Sequence, residues 1–533
     1  MARSTRQADM PRTVERQWSP RVSAALLERL AARAAVSATT KTIAVEAPFS
    51  GELLGHVPQG TPDDVTAACA TARAAQQGWA RRSFAERAAV MLRFHDLVID
   101  NAAEILDIIQ LENGKARRHA FEEVLDVAIQ ARYYAHTAAS FLKPRRRQGA
   151  LPVLTKAWEH HHPRGVIGLI TPWNYPLTLV ASDAVPALMA GNGVVVKPDS
   201  LAPFSALWAA RLLEEAGLPR GLLQVVSGRG ADLGEALVDG ADYLLFTGST
   251  ATGHKVAAMA AAHLKDNSME LGGKNALLVL PDASLRRAVP GTARGITASG
   301  GQLCVSIERI YVHAAVYDVF AARLAESLRA VRMGASLTFL DDMGSLVDAD
   351  HLAKVEGHVA DAVGKGAEVL AGGKARPELG PYFFEPTLLA GVTDEMALCR
   401  AETFGPVAAV YRCASVQEML DRANDSSYGL TASIWTRDTR RGRDLATRVQ
   451  AGTVNINEAY AAAWASAGPM GGFKESGMGR RHGRQGIIKF SETQTVAVER
   501  LLALDTPPFL NHRQYATLMS VAFKLLKRAP LIK

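Results

Sequence analysis

Short apolar runs that alternate with helical segments dominate the chain from Val166 onward. The first series predicts buried strands at Val166–Ile170, Gly193–Lys197, Leu223–Ser227, Tyr243–Phe246 and Ala276–Leu280. Such β-α repetition favours a parallel, doubly wound sheet, which binds its ligands at the carboxyl ends of the strands. We therefore expect an α/β fold with a ligand site along one edge of this sheet.

A second series of apolar runs predicts another doubly wound α/β unit, with strands at Ile310–Val312, Val407–Tyr411, Ala432–Trp435 and Thr453–Ile456. Upstream of both series, residues 62–142 keep helical spacing, and Thr61-Pro62-Asp63-Asp64 is a helix start signal. These patterns place a boundary near residue 275. We predict a first domain from residues 41–149 and 165–275, and a second domain from residues 276–488.

Four segments fall outside these two domains. Residues 1–40 are expected to form a basic tail and a helix, and residues 150–164 and 489–500 a protruding β-arm that pairs with another subunit. Residues 501–533 have the pattern of a basic amphipathic helix. Packing of this helix on the protein is favoured over contact with a membrane.

Composition narrows the class of protein. The 533 residues are 48% hydrophobic and 21% charged, which is typical of a globular enzyme. The net charge of +7 is concentrated at the two ends, without the interleaved aromatics of a nucleic-acid platform. The four cysteines have neither disulfide nor metal-ligand spacing. We expect a cytoplasmic enzyme that binds no nucleic acid and has no metal site.

The strongest chemical signal is a cysteine in a glycine-rich turn. Cys304 follows Gly300-Gly301-Gln302-Leu303, 34 residues after Glu270. Glycines allow the backbone to approach a reacting carbon closely, and a thiolate can attack an aldehyde. A nearby carboxylate supplies a general base. The pair predicts a cysteine nucleophile with Glu270 as its base.

A fixed hydrogen-bond donor is needed for the oxyanion that such an attack creates. Asn174, in Thr171-Pro-Trp-Asn-Tyr-Pro-Leu177, follows the first predicted strand and offers its side-chain amide. A turn-forming asparagine between two prolines is the alternative interpretation.

Three ligand-type loops follow successive strands of the first sheet, at Lys197-Pro-Asp-Ser200, Gly228-Arg-Gly230 and Gly248-Ser249. Glycines admit a pyrophosphate, a helix start offers unpaired N–H groups, and Lys197 can reach ribose or phosphate oxygens. Together they predict a dinucleotide site.

From about residue 40 to residue 500 the chain resembles the aldehyde dehydrogenase superfamily. The likeness rests on Asn174, Lys197, Gly248, Glu270 and Cys304 in order, and extends to Glu402-Thr-Phe404 and Gly452-Thr-Val-Asn455. It implies the fold of that family, with two doubly wound domains, an oligomerisation arm, and a homodimer or homotetramer. It also implies cofactor contacts from Trp173, Lys197, Ser200, Gly230, Gly248, Ser249, Leu271, Glu402 and Phe404.

The resemblance further implies a mechanism. Cys304 attacks the aldehyde, Asn174 and the Cys304 N–H hold the oxyanion, and hydride passes to a nicotinamide. Glu270 then activates water, so that the product is a carboxylic acid. Family members that transfer the acyl group to coenzyme A or phosphate generally lack this base, and hydrolysis is favoured here.

Within the superfamily the chain is most similar to NADP-type succinate-semialdehyde dehydrogenases. Ser200 stands where NAD-preferring members commonly have Glu, which favours NADP over NAD, although Asp199 lies beside it. Ser182 and Ala298 stand where known succinate-semialdehyde enzymes have carboxylate-binding arginines. A less polar aliphatic, fatty or aromatic aldehyde is therefore an alternative substrate. A remote alternative is that the protein is a non-catalytic, structural relative of these enzymes.

Overall fold

A parallel sheet flanked by helices organises the first half of the chain. The computed structural model describes residues 18–149, 155–499 and 505–527. The predicted parallel strands are buried on both faces, as their unbroken apolar runs require. In spatial order the strands of this sheet are Gly477–Met478, Asn267–Glu270, Tyr243–Thr247, Val166–Ile170, Gly193–Lys197 and Leu223–Val225.

Helices cover both faces of this sheet and build a large apolar core. Thr61 and Asp64 cap the second helix reciprocally, as the sequence predicts. The helices of this half are Ala24–Ala31, Pro62–Ala80, Phe84–Asp100, Ala102–Asn113, Arg117–Leu142, Thr178–Met189, Phe204–Glu215, Gly230–Gly240 and Thr250–Ala262. A hairpin of strands Thr42–Ala47 and Glu52–Pro58 lies beside the first of them.

The second sheet has seven strands and its own core on each face. Its spatial order is Glu368–Ala371, Thr387–Ala390, Val407–Cys413, Ile307–His313, Asn275–Val279, Thr431–Trp435 and Thr453–Ile456. The accompanying α-helices are Leu285–Thr297, Tyr317–Arg329, Ala349–Gly364, Ala397–Arg400, Val416–Asn424 and Thr439–Ala446, with short 3₁₀ turns at Ala298–Gly301 and Ala461–Trp464. All its pairings except that of the edge strand Glu368–Ala371 are parallel.

The chain returns from the second sheet to the first near its end. Strand Gly477–Met478 pairs antiparallel with Met269 and Glu270, and helix Gly483–Ile488 follows it. A two-residue strand, Phe473–Lys474, pairs with Tyr428–Gly429 just before this crossing. The strand that ends at Glu270 is therefore held between Tyr243–Thr247 and a segment more than 200 residues later.

A separate three-stranded antiparallel sheet forms an arm. Its strands are Arg145–Gln148, Thr155–Pro163 and Ser491–Glu499, in the order third, second, first. The long pairing runs from Ser491 opposite Pro163 to Glu499 opposite Thr155. Residues 150–154 and 500, which belong to the predicted arm, lie outside the described residues.

The C-terminal helix, His512–Leu526, buries none of its side chains. The favoured expectation that this helix packs on the protein is therefore wrong. Leu518, Val521 and Leu525 are among its exposed apolar residues. Across residues 18–149, 155–499 and 505–527, no helix combines the length and apolarity that crossing a bilayer requires.

Candidate active site

Cys304 lies just beyond a strained, glycine-rich turn at the end of helix Leu285–Thr297. Ser299, Gly300 and Gly301 all have positive φ angles. A Cβ on Gly301 would lie 2.0 Å from the carbonyl oxygen of Gly405, so no larger residue fits there. The glycines predicted to serve a close approach therefore bring the Cys304 loop against Gly405.

Two cavities share a wall that contains Cys304, Asn174 and Leu179. One, of about 720 Å³, opens at the carboxyl ends of the first sheet and is also lined by Glu270, Gly248 and Glu402. The other, of about 430 Å³, continues on the far side of the cysteine. The Cys304 thiol thus lies between these two cavities.

The Asn174 loop is held rigidly by buried polar groups. The Asn174 side-chain amide donates to the Gln302 carbonyl at 3.0 Å, and the Asn174 backbone carbonyl oxygen accepts from Lys115 Nζ at 2.6 Å. Lys115 also pairs with Glu123 at 2.7 Å, and both side chains are completely buried. Glu123 in turn accepts the backbone N–H groups of Leu177 and Thr178. This network fixes the amide beside the nucleophile's loop.

Glu270 ends its strand with a buried carboxylate that is poorly paired. Its Oε1 has no hydrogen-bond partner among the described residues. Burial raises the pKa of Glu270 to about 7, an effect that Arg481 and Lys489 oppose. Such a carboxyl can exchange a proton near neutral pH, which is the property required of a general base.

Arg481, Lys489 and Arg480 lower the pKa of Glu270, and Asp183 raises it. Arg481 Nη2 lies 2.6 Å from Asp183 Oδ2, without the alignment of a hydrogen bond, and both side chains are buried. Lys489 Nζ is also buried and has no partner among the described residues. Burial lowers the pKa of Lys489 to about 8. Glu270 therefore belongs to a cluster of charges, here called the Glu270 cluster, made of Glu270, Asp183, Arg481 and Lys489.

The thiol of Cys304 is protonated in this arrangement. Burial, together with the charges of Glu270 and Glu402, raises its pKa to about 12, and the charge of Arg481 opposes this rise. A protonated thiol is a weak nucleophile, so reaction requires transfer of its proton to a base.

The dinucleotide-side cavity contains most of the predicted cofactor residues. Gly248 and Ser249 lie at the start of helix Thr250–Ala262, where the Ser249 hydroxyl caps the Thr252 N–H. A Cβ on Gly248 would lie 2.6 Å from the Phe246 ring. Leu271 lines the same cavity, and Glu402 accepts from the Gly273 N–H at 2.7 Å. Burial raises the pKa of Glu402 to about 7.

An aromatic cluster forms one wall of this cavity. The rings of Trp173, His351 and Phe404 meet edge to face, with centroids 5.6–5.9 Å apart. Phe404 has a φ of 59°, and its carbonyl oxygen is 2.7 Å from His351 Nε2. Trp173 and Phe404 were predicted as cofactor contacts. His351 and Lys354, which also line the cavity, were not predicted.

Lys197, Ser200 and Gly230 lie together at the neighbouring strand ends, beyond the lining of that cavity. A Cβ on Gly230 would be 3.7 Å from Lys197 Nζ, and Ser200 donates to the Gly228 carbonyl at 3.1 Å. Asp199 accepts the Leu201 N–H, yet its charge still opposes the lowering of the Lys197 pKa by burial. All three predicted residues thus occupy one edge of the sheet.

The far cavity is mainly apolar but contains buried charge. Tyr175, Leu303 and Trp464 line it together with Asp126 and Arg481. Ser182, which replaces an arginine of known succinate-semialdehyde enzymes, donates to Asp126. Arg481 is the one Lys or Arg among the described residues lining this cavity.

Several supporting residues were not predicted from the sequence. Glu112-Asn113-Gly114-Lys115 did offer a signal, because a charged cluster interrupts an apolar helical region there. Gly114 is left-handed at the helix end, and Asn113 donates to the Trp173 carbonyl at 2.9 Å. The Asp183–Arg481 pair offered no such local signal.

Comparison with known proteins agrees with this geometry. The model of the "Aldehyde dehydrogenase family" matches residues 35–496. The chain is 50% identical to "Putative succinate-semialdehyde dehydrogenase (NADP+)" of Mycolicibacterium smegmatis, over 91% of this chain and 94% of the relative.

Two solved structures are similar in fold as well. Succinate-semialdehyde dehydrogenase from Burkholderia pseudomallei has a TM-score of 0.83 at 36% identity, covering 86% of this chain and 95% of that one. An aldehyde dehydrogenase from Bacillus cereus, solved as an NAD+ complex, has a TM-score of 0.82 at 34% identity, covering 86% and 93%. The α/β fold predicted by resemblance is confirmed, and the chain belongs to the aldehyde dehydrogenase family.

Proposed function

We propose that this protein oxidises succinic semialdehyde to succinate, with NADP as the preferred hydride acceptor and Cys304 as nucleophile. The observation that carries the proposal is the position of Cys304 and Asn174 in the wall between two cavities. One cavity can hold the aldehyde and the other the redox end of a dinucleotide. The carbonyl carbon and its hydride acceptor would then meet at the sulfur.

The first step joins the Cys304 sulfur to the carbonyl carbon. The thiol proton leaves to Glu270 or to water, and the carbonyl π electrons move onto oxygen. Asn174 Nδ2, which the Gln302 carbonyl orients, and the Cys304 N–H donate hydrogen bonds to that oxyanion. The product of the step is a thiohemiacetal.

The residues of the dinucleotide-side cavity suit a dinucleotide. Gly248, where a Cβ would meet the Phe246 ring, directly precedes the start of helix Thr250–Ala262, and a helix start favours a pyrophosphate. Glu402 and Phe404 line the same cavity. A bound nicotinamide would supply the acceptor for the hydride that the thiohemiacetal carbon loses as its oxygen forms the thioester carbonyl on Cys304.

Hydrolysis completes the reaction. Glu270 removes a proton from water, the resulting hydroxide attacks the thioester carbon, and the Cys304 sulfur leaves as thiolate. A pKa of about 7 allows Glu270 to accept this proton and release it to solvent. The products are a carboxylate and the free cysteine.

NADP preference rests on the surroundings of Lys197. No carboxylate occupies position 200, the Gly230 backbone lies beside the Lys197 amino group, and the Ser200 hydroxyl donates to the Gly228 carbonyl. Comparing kcat/KM with NADP and NAD tests this proposal. Ser200→Glu should favour NAD, because like charges a few ångströms apart cost on the order of 1–4 kcal/mol. A wild-type preference for NAD would contradict the proposal.

The substrate is tested with a panel of succinic semialdehyde, butanal, benzaldehyde and decanal. We expect the highest kcat/KM with succinic semialdehyde, and none of the reactions should proceed with Cys304→Ala. The buried Arg481 supplies a positive charge in the far cavity. A higher kcat/KM with butanal or decanal would instead support the less polar substrate.

The proposed assembly is a homodimer or homotetramer in the cytoplasm. Strand Ser491–Glu499 is the outer strand of the arm, and Val496 and Val498 are exposed on it. Such an edge can pair with a second copy. Light scattering after size exclusion measures the assembly, and a monomer would contradict this part of the proposal.

A further inference from the structure

An arginine-rich pocket lies where the start of helix Arg117–Leu142 in the first domain meets the second domain, and its lining shares no residue with either active-site cavity. It has a volume of about 1,230 Å³, and its lining includes neither Cys304 nor Glu270. One wall is a single face of helix Leu285–Thr297, and the others come from five further segments of the chain. The arginines that line it are Arg118, Arg286, Arg287 and Arg294.

The positive charge of this pocket is only partly balanced. Arg118 pairs with Asp342 at 2.8 Å, and Arg294 pairs with Glu458. Arg286 and Arg287 are exposed, and neither forms an ion pair with any carboxylate that the structure describes. Two guanidinium groups are therefore available to an anion.

Two buried polar groups also face the pocket without partners. His119 is 2% exposed and Trp435 is 4% exposed, and both line the pocket. Neither His119 Nδ1 nor Trp435 Nε1 has a hydrogen-bond partner among the described residues. Burial and the nearby charges of Arg118, Lys115 and Arg294 lower the pKa of His119 to about 3, so its ring is neutral.

The indole is held in place by the helix opposite. A Cβ on Gly291 would lie 2.4 Å from the Trp435 ring, so only glycine admits the indole there. A buried donor without a hydrogen-bond partner destabilises the protein, because it has lost its bonds to water. A ligand that accepts a hydrogen bond from Trp435 Nε1 would remove this destabilisation.

We propose that this pocket binds a small molecule with two or more acidic groups. The free guanidinium groups of Arg286 and Arg287 hold the acidic groups, and Trp435 Nε1 donates to a ligand oxygen at the inner end. Planar guanidinium groups bind phosphate and carboxylate oxygens in pairs. The shared chemistry is that of a multivalent anion, either a phosphate-bearing compound or a dicarboxylate.

Isothermal titration calorimetry of the full-length protein at constant ionic strength tests the proposal, with pyrophosphate and succinate as separate probes. The test variant is Arg286→Ala/Arg287→Ala. The matched control is Arg440→Ala/Arg441→Ala, which removes two adjacent exposed arginines from another helix of the same domain.

We expect at least one probe to bind the wild type and the control equally. The test variant should bind it about a hundredfold more weakly, because it loses two charge-assisted contacts that each contribute about tenfold. Binding of pyrophosphate alone would assign a phosphate-bearing ligand, and binding of succinate a dicarboxylate. Trp435→Phe, which keeps a ring against Gly291, should weaken the same binding.

Two results would overturn the proposal. One is the absence of binding heat with both probes. The other is equal affinity in the test and control variants, which would place the anion elsewhere, such as the dinucleotide cleft. Neither result bears on the aldehyde reaction, because none of these residues lines the active-site cavities.

Discussion

Asn174 and Glu270, the two groups proposed to act beside Cys304, both lie against buried charged side chains, but those side chains differ in how well they are hydrogen-bonded. Behind Asn174, Lys115 and Glu123 pair at 2.7 Å and use their remaining hydrogen-bonding capacity on backbone groups of the loop. Behind Glu270, the ion pair is misaligned, and both Glu270 Oε1 and Lys489 Nζ lack partners among the described residues.

This difference matches two different tasks. A fully bonded network fixes a donor in space, which is what an oxyanion requires. A group that must gain and lose a proton gains from weaker bonding, because tight partners would hold it in one protonation state. The first network should therefore govern stability, and the Glu270 cluster should govern pH dependence.

The largest effect is expected for Glu270→Gln. Without the base, thioester hydrolysis should slow by roughly 10²–10⁴-fold, while formation of one equivalent of reduced cofactor per site persists. Rapid mixing should therefore show a burst followed by a slow steady rate. Loss of the burst together with the steady rate would contradict this prediction and would assign the thiol proton of the first step to Glu270 as well.

Glu270→Gln also tests how much folding stability the protein loses by burying the Glu270 carboxylate. The pKa of Glu270 is raised from 4.5 to about 7 on folding, so stability is lost as pH rises through this range. Glu270→Gln should raise Tm at pH 8 and leave it unchanged at pH 4. An unchanged Tm at both pH values would contradict the raised pKa.

Lys115→Met should be the most destabilising single change in the Asn174 network. It leaves Glu123 buried without its cation, which costs about 3–5 kcal/mol. Urea unfolding measures the loss, with the exposed Arg440→Met as control. A free energy of unfolding within about 1 kcal/mol of the wild type would show that the pair does not hold the loop.

Asp183→Asn and Lys489→Met should shift the pH dependence of hydrolysis in opposite directions. Asp183 raises the pKa of Glu270 and Lys489 lowers it. The acidic limb of the kcat profile should therefore move to lower pH in Asp183→Asn and to higher pH in Lys489→Met. At pH 6 the rates should differ by roughly two- to tenfold, since one pKa unit is a factor of ten.

Shifts in the same direction would indicate a general loss of structure in place of electrostatic control. Lys489→Arg serves as the matched control, because it retains the charge. Its profile should stay close to that of the wild type.

The smallest effect is expected from removal of residues 505–533. No side chain of helix His512–Leu526 is buried. The free energy of unfolding should therefore stay within about 0.5 kcal/mol of the wild type, and kcat/KM within about twofold. A large loss of activity would show that the helix contacts a second copy.

The sequence predicted the parts of the site that lie on regular elements. Strand ends place Asn174, Lys197 and Gly248, because a parallel sheet brings its carboxyl ends to one edge. Cys304 stands before strand Ile307–His313, and its part in the site was predicted from its glycine turn and from the family resemblance.

What could not be predicted depends on tertiary pairing. Asp183 and Arg481 are 298 positions apart, and His351 enters the aromatic cluster from a helix of the second domain. The C-terminal helix was correctly expected as an amphipathic element but not as an unpacked one. Local pattern gives the face of a helix, whereas its partner is determined by the rest of the fold.

The return of strand Gly477–Met478 to Glu270 ties catalytic competence to the order of synthesis. During translation, Asn174 and Cys304 emerge from the ribosome well before residues 477–489, which contain the strand that pairs with Glu270. Until that segment arrives, the strand bearing Glu270 is an open edge and Arg481 and Lys489 are missing. The surroundings of Glu270 can therefore be completed only late in the synthesis of the chain.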